Sequence, residues 1–392
     1  MNICILKESL VIGGNERSVS NVSKLLARDQ DVFVALFDAE NMQYSYGGEL
    51  CDLAIPSRKT IVGKIYNSFL RSVALKKLVR KRDMDIVYMF TRIGNYQTQA
   101  KMKNTAKIIS ARDCASMVNK HQRYHRALKN SDAMICNSEY IKNYYLTKYP
   151  KDRDKVFTVH NFVYSEDIAR QSANEVEPEF LGFIGKQGKI ISAVGRFCKE
   201  KGFEYLLEAF GKARDIAGDI GLVLIGDGEY REKYESVISK LGLQDCVYFT
   251  GFQSNPYKYM AKSDVFVLSS LSEGFPNVLI EAMVLGLPVI ATNCYSGPAE
   301  ILREDCEYKA VTDRFIECDY GIITPRMTEN DNSNAIFALS EALAYLANND
   351  QLMKKYSELS KQRASAYSAE IAGEKYKGVF EMLINRRMKN KE

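Results

Sequence analysis

Two carboxylates eight positions apart, Glu273 and Glu281, bracket the stretch of this chain best suited to chemistry on a phosphate-linked group. The residues run Glu273-Gly-Phe275-Pro276-Asn277-Val278-Leu-Ile-Glu281-Ala-Met, and after a strand-like run they continue Ser-Gly-Pro-Ala-Glu300-Ile-Leu. Phe275-Pro276-Asn277 signals a helix start, because proline suits the first turn, where its missing N–H costs nothing. Gly286 and Pro288 end that helix, and residues 289–292 read as a buried strand. Unbonded N–H groups at a helix start, with the helix dipole behind them, favour phosphate. Glu281, on the first turns of the same helix, is placed to accept hydrogen bonds from a sugar attached to that phosphate.

Further motifs end apolar runs. Residues 189–194 lead into Gly195-Arg196-Phe-Cys-Lys-Glu-Lys201-Gly202. Fixed cations such as Arg196 and Lys201 stabilise charge that grows on a leaving phosphate, which lowers the barrier more than it deepens binding. The bland alternative is a pair of solvated surface cations. Gly226-Asp-Gly228 follows the run 222–225, Thr250-Gly-Phe252-Gln253 follows 247–249, and Gly13-Gly14 follows the first run. Glycine there lets backbone approach a ligand closely. Each of these three also reads as a plain turn.

The string EGFPNVLIEAM followed by SGPAEIL, with VGR and KG before it, resembles the nucleotide-sugar site of glycosyltransferase family 4, retaining enzymes of the GT-B fold. The resemblance is dense over 189–302 and diffuse elsewhere. It implies that Glu281 binds the ribose, that Glu273 lies near the transferred sugar, and that Arg196 and Lys201 reach the donor diphosphate. Phe275 and Pro276 would shape the loop, with the N–H groups of Asn277 and Val278 on the sugar or diphosphate. Gly13, Gly14 and Gly226 would lie near the donor, and Phe252 or Gln253 near its base. Arg196, Lys201 and Glu273 are the candidate catalytic residues. One departure stands out. Many members carry a histidine after the fourth strand of the first domain, where this chain reads Ser110-Ala-Arg112-Asp113. Arg112 or Asp113 takes that place. Arg112 and Asn161 are candidate acceptor contacts, and Asn161 also reads as a turn cap.

To position these residues, both halves alternate short apolar runs with amphipathic helices, the pattern of parallel sheets covered on both faces. Strands are expected at 3–6, 32–37, 86–90, 107–110, 133–136 and 156–159, then at 189–194, 222–225, 247–250, 265–268 and 289–292. Helices are expected at 17–27, 138–146, 203–214, 230–241 and 276–285. The fold class is therefore α/β, and the resemblance makes it GT-B: two facing Rossmann-like, doubly wound domains with a cleft between them. The expected domains are 1–170, for the acceptor, and 171–373, for the nucleotide-sugar. In the family, a C-terminal helix such as 374–392 commonly packs back on the first domain.

Net charge is +5, but residues 1–170 carry 28 Lys and Arg against 17 Asp and Glu, and the remainder 26 against 32. A basic first half suggests a polyanionic partner, such as an anionic membrane face or a diphosphate-bearing acceptor. No nucleic-acid-binding signature accompanies the charge. Segment 58–82 combines basic residues with apolar ones at helical spacing, which suits either an anionic membrane surface or a solvated helix face. The nine cysteines form no Cys-x-x-Cys pair and the histidines number three, so neither a metal site nor a resident cofactor is expected. The start of the chain lacks the pattern of a signal peptide, and the expectation is a cytoplasmic protein, peripheral at the inner face of the membrane.

The combined expectation is a retaining, metal-independent transferase. It would move a hexose or N-acetylhexosamine from a nucleotide-sugar, UDP-linked by family frequency, to a lipid-linked saccharide in capsule, O-antigen, lipopolysaccharide or exopolysaccharide assembly. Two rivals remain: a UDP-sugar 2-epimerase of the same fold, against which the shortage of histidine speaks, and a degenerate glycosyltransferase serving as a binding subunit.

Overall fold

The computed structural model describes residues 1–11, 13–58, 60–91, 102, 104–305, 310–328 and 331–389. Lys59, within the basic segment 58–82, lies outside the described residues. The chain divides into two compact units, Met1–Phe162 with Ala369–Glu392, and Val163–Ser368.

The first unit holds β1 (Asn2–Lys7), β2 (Asp31–Leu36), β3 (Glu49–Asp52), β4 (Ile86–Met89), β5 (Ala106–Ala111), β6 (Ala133–Cys136) and β7 (Val156–Thr158). They form one parallel sheet in the order β3-β2-β1-β4-β5-β6-β7. The second unit holds β8 (Lys189–Val194), β9 (Ile220–Ile225), β10 (Val247–Gly251), β11 (Val265–Leu268), β12 (Val289–Thr292), β13 (Ile316–Cys318) and β14 (Gly321–Thr324). Their order is β10-β9-β8-β11-β12-β14-β13, and β13 alone among them pairs antiparallel. Both units are doubly wound. Strand order reverses between β1 and β4 in one and between β8 and β11 in the other, and ligands of such sheets collect beyond the strand C-termini at these reversals.

Strands such as β4, β6, β9 and β12 are buried along their whole length, which is why they read as continuous apolar runs. Helix Phe203–Ala217 buries Phe203, Leu206, Leu207, Phe210 and Ala213, one stripe at helical spacing, and packs on helix Ser333–Ala347. Three strands were not legible in sequence. β3 is a half-polar edge strand with no fully buried residue, and β13 and β14 form a short hairpin at the far edge of the second sheet.

Two helices shape the first unit's surface and its polar interior. Ala369–Lys389, the last helix, belongs to this unit: Tyr376 and Phe380 are buried against Tyr88, and Arg387 reaches Asp132 at 2.7 Å. Helix Ile61–Lys81 is inverted relative to an ordinary surface helix. It buries Asn67, Arg71, Leu75 and Val79, while Val62, Ile65, Tyr66, Phe69 and Val73 form an exposed apolar stripe. Arg71 satisfies its buried guanidinium on the Ile55 carbonyl, at 2.8 and 3.0 Å, and lies over the Phe37 ring. Among the described residues no helix is long and apolar enough to cross a membrane.

Candidate active site

The site in the second unit is assembled from the loops that leave β8 and β11, the two strands on either side of the reversal. The loop after β8 makes a short 3-10 turn at Lys199–Lys201 and passes through Gly202 in the left-handed region, φ +65°. A Cβ at Gly202 would lie 2.3 Å from the Ser269 carbonyl oxygen, so only glycine allows the two loops this approach. The loops are then tied together. Ser269 Oγ donates to the Lys201 carbonyl at 2.9 Å, and the Leu271 N–H donates to the Glu200 carbonyl at 2.8 Å.

This lacing brings Lys201 Nζ to 2.7 Å from Glu273 Oε1. Ser270 Oγ donates to the same carboxylate oxygen at 2.7 Å, and Thr292 Oγ1 holds the Ser270 carbonyl at 2.6 Å. Burial disfavours the Lys201 ammonium, but the Glu273 carboxylate outweighs it and holds the lysine above its ordinary pKa. Lys201 is therefore a fixed cation throughout the physiological range. Arg196, on the same loop, is exposed.

Helix Asn277–Val284 comes directly after this loop, with Pro276 at its N-cap rather than inside its first turn. The N–H groups at this helix start have no partner within the helix itself. Asn277 Oδ1 is buried without a hydrogen-bond partner, while Val278 stays half-buried. Glu281 lies one turn later and is buried, 1% exposed. Phe275 packs edge-on against Tyr367 with ring centroids 5.4 Å apart. Ser296 Oγ donates to the Gly274 carbonyl and so ties the second half of the motif to the first. Glu300 is buried, with its backbone carbonyl held by Arg363 and Tyr367, which suits a structural post.

Gly226, φ +146°, crosses over Gly195, where a Cβ would meet the Gly195 carbonyl at 1.9 Å. Its N–H donates to the Gly251 carbonyl, which joins the turns after β9 and β10. Phe252 stands 62% exposed beyond β10, and Gln253 is turned back onto the Thr250 carbonyl. The second unit thus places Arg196, Lys201, Gly226, Phe252, Glu273, Phe275 and Pro276 on loops that follow its parallel strands, and Asn277, Val278 and Glu281 on the helix that follows one of them.

The remaining candidates lie in the first unit. Gly13 is the N-cap of helix Gly14–Leu26. The Glu16 carboxylate folds back over Gly13 and pairs with Lys7 at 3.1 Å, so this helix start already faces a carboxylate of its own chain. Gly14 faces open space. Arg112 and Asn161 come together, with Arg112 Nη1 2.5 Å from Asn161 Oδ1. Arg112 also donates to Ser110 Oγ, at 2.9 Å, and to the hydroxyls of Tyr376, at 2.9 Å, and Tyr88, at 3.4 Å. Burial works against the guanidinium charge, yet Tyr376 and Tyr88 hold Arg112 above its ordinary pKa. His121 and His125 are engaged by Tyr149, Tyr145 and Asp152.

Sequence reading missed Ser269 and Ser270, whose only signal was a polar pair directly after the apolar β11, and Thr292, the polar last residue of β12. It also missed Tyr376, which no local pattern links to Arg112.

Two doubly wound α/β units in one chain are the architecture of the GT-B class. Residues 12–167 match the family described as Glycosyltransferase Family 4, and residues 178–310 match that described as Glycosyl transferases group 1. The chain belongs to this family of glycosyltransferases. It is 27% identical over 382 residues to a Campylobacter jejuni N-acetylgalactosamine-N,N'-diacetylbacillosaminyl-diphospho-undecaprenol 4-alpha-N-acetylgalactosaminyltransferase, covering 92% of this chain and 93% of that one. It is 30% identical over 270 residues to an uncharacterized glycosyltransferase of Methanocaldococcus jannaschii, covering 67% of this chain and 66% of that relative. Its fold is like that of Anabaena HepE crystallised with UDP, with a TM-score of 0.74, 16% identity and 97% and 100% of the two chains covered.

Proposed function

We propose that this chain is a retaining, metal-independent hexosyl- or N-acetylhexosaminyltransferase that takes its sugar from a UDP-sugar and gives it to a lipid-linked saccharide in bacterial surface-polysaccharide assembly. The observation that carries the reading is the Lys201–Glu273 pair at 2.7 Å, set at the reversal of the second sheet, with Glu281 buried on the helix that follows Glu273. In this reading Glu281 accepts from the ribose hydroxyls, and the start of helix Asn277–Val284 faces the diphosphate. The exposed Phe252 offers a stacking face to the base.

The chemistry follows from the charges. As the anomeric carbon–oxygen bond lengthens, an oxocarbenium-like centre forms and negative charge builds on the departing diphosphate. Lys201 and Arg196 stabilise that charge without a metal. The acceptor hydroxyl attacks from the face the diphosphate leaves and hands its proton to the departing diphosphate oxygen, so configuration is retained. Glu273 orients Lys201 and, in this reading, lies beside the transferred sugar. No acid–base pair of carboxylates is invoked.

The acceptor reading draws on the name of the Campylobacter relative and on the first unit's own surface. The exposed stripe Val62, Ile65, Tyr66, Phe69 and Val73, flanked by Lys64, Lys76, Lys77, Arg80 and Lys81, suits an anionic membrane face.

Thermal stabilisation of the purified chain by UDP, GDP, ADP and CMP, each with and without EDTA, is the test. A shift with UDP that survives EDTA, followed by transfer from a UDP-sugar, supports the reading. A shift that EDTA abolishes, or one confined to another nucleotide, sinks its donor half.

A further inference from the structure

The loops after β12 and β14 leave the second sheet together. Thr292 and Thr324 lie opposite each other in this parallel pair, and the Asn293 N–H donates to the Thr324 carbonyl at 2.9 Å. The loop after β12 then turns through Ser296 and Gly297, both left-handed, with φ +69° and +75°. A Cβ at Gly297 would lie 2.4 Å from Pro276 Cδ and 3.1 Å from Phe275 Cα, so the turn is pressed against the loop that carries Glu273. Serine at positive φ is held there by its surroundings, and the Ser296 hydroxyl donates to the Gly274 carbonyl. Tyr295, just before this turn, is thereby fixed beside the Glu273 loop while staying 37% exposed.

Arg326, two residues beyond β14, lays its guanidinium over the Tyr295 ring, 4.1 Å from the centroid. The side chain is half-buried, yet among the described residues it donates no hydrogen bond and has no carboxylate within 4.0 Å. Other arginines of this unit are already engaged: Arg303 pairs with Asp305, Arg314 with Glu341, and Arg363 donates to the carbonyls of Glu300, Ile301 and Arg303. A guanidinium stacked on a ring keeps its N–H groups in their own plane, prearranged as a fork. The group that matches such a fork is a planar carboxylate, which takes two of the N–H groups at once.

Strand order says which part of a ligand would meet that fork. In the reading above, the nucleotide-sugar runs from Phe252, beyond β10, past Lys201, after β8, to Glu273, after β11. β12 and β14 come next in the sheet, on the far side of β11 from β8. Their loops therefore adjoin the sugar end of the ligand, away from the base. We infer that Arg326, stacked on Tyr295, is a specificity residue that holds the carboxylate of a hexuronate, a hexose oxidised to the acid at C6, next to the reacting centre. The acid belongs either to the transferred sugar or to the accepting one, and the test separates the two. The inference rests on the UDP-sugar donor proposed above.

Calorimetric titration of the full chain with UDP, and with UDP-glucuronate and UDP-galacturonate against UDP-glucose and UDP-galactose, tests the transferred sugar. Titration of the UDP-saturated chain with the methyl glycosides of the same acids and neutral sugars tests the accepting one. Wild type, Arg326→Gln and Arg326→Lys are compared, and circular dichroism checks that the variants fold. In one of the two arms the wild type should favour an acid over its neutral counterpart by about tenfold or more. Arg326→Gln should erase that preference and leave UDP affinity unchanged, and Arg326→Lys, a point charge without the fork, should restore only part of it. No preference in either arm, or one that survives in Arg326→Gln, overturns the inference, while UDP binding keeps the donor reading standing. Loss of UDP affinity in Arg326→Gln overturns it too, because Arg326 would then serve the nucleotide. A wild type that binds no UDP overturns the donor reading and the inference with it.

Discussion

Lys201 and Glu273, 72 positions apart, meet at 2.7 Å because Gly202 lets the loop after β8 lie against Ser269 at the end of β11. The pair is a product of topology, since β8 and β11 are neighbours only where the strand order reverses. Lys201→Met should lower transfer by about 100- to 1000-fold while UDP still binds, because the lysine acts mainly on charge that develops in the transition state. Glu273→Gln should cost less, since Ser270 can still orient the amide. Steady-state kinetics with a UDP-sugar decide it. Similar activity in Lys201→Met and wild type would remove Lys201 from the mechanism.

Glu281→Ala should act on binding instead. If the carboxylate holds the ribose, UDP affinity falls about tenfold or more, as for loss of a charge-assisted hydrogen bond. Its neighbours Leu279, Ile280, Ala282 and Met283 are all buried, so the helix should remain in place. An unchanged UDP dissociation constant in titration calorimetry would place Glu281 in the core alone.

Tyr376→Phe removes a hydroxyl that receives a hydrogen bond from Arg112 at 2.9 Å. Tyr376 is a positioning residue here. Stability should fall by about 1 kcal/mol. The KM for a lipid-linked acceptor should rise with kcat little changed, and UDP affinity should be untouched. An equal fall in stability with no change in KM would leave Tyr376 a purely structural contact.

Lys107, buried within β5, titrates low: burial pushes it down, Asp132 partly restores it, and its pKa settles at about 8 against an ordinary 10.5. The unfolded chain therefore keeps its proton to higher pH than the folded one. Between about 8 and 10.5 the unfolded state binds more protons, and stability from this group rises with pH. Below 8 both states are charged and the full penalty applies. Lys107→Met should thus stabilise the protein at pH 7 by about 1–3 kcal/mol, a gain that shrinks as pH climbs past 8. Urea unfolding at pH 7 and pH 9.5 measures it, and a gain independent of pH would contradict the assignment.

Val62→Ser with Phe69→Ser should leave stability within about 0.5 kcal/mol, since both side chains are exposed. The variant should float free of anionic vesicles that retain the wild type. Flotation at two salt concentrations separates the apolar part from the electrostatic one. Equal retention of both proteins would leave the stripe without a membrane role.

Much of this protein was legible in its sequence. The continuous apolar runs of β4, β6, β9 and β12 announce strands buried on both faces, because water is excluded from both sides of a parallel sheet. Proline and asparagine at 276–277 mark the start of a helix, and the glycines at 202 and 226 mark turns that a side chain would block. Those are local properties, carried by residues close together in the chain. What the sequence could not contain is which loops meet. β3 hides because an edge strand need not be apolar, and Ile61–Lys81 hides its inversion because periodicity defines a stripe without saying which way it faces. Only the tertiary structure decides that Lys201 pairs with Glu273 and that Tyr376 returns from the last helix to hold Arg112. Each of these depends on strand order, and strand order follows from how both faces of a sheet are covered at once rather than from any short stretch of chain.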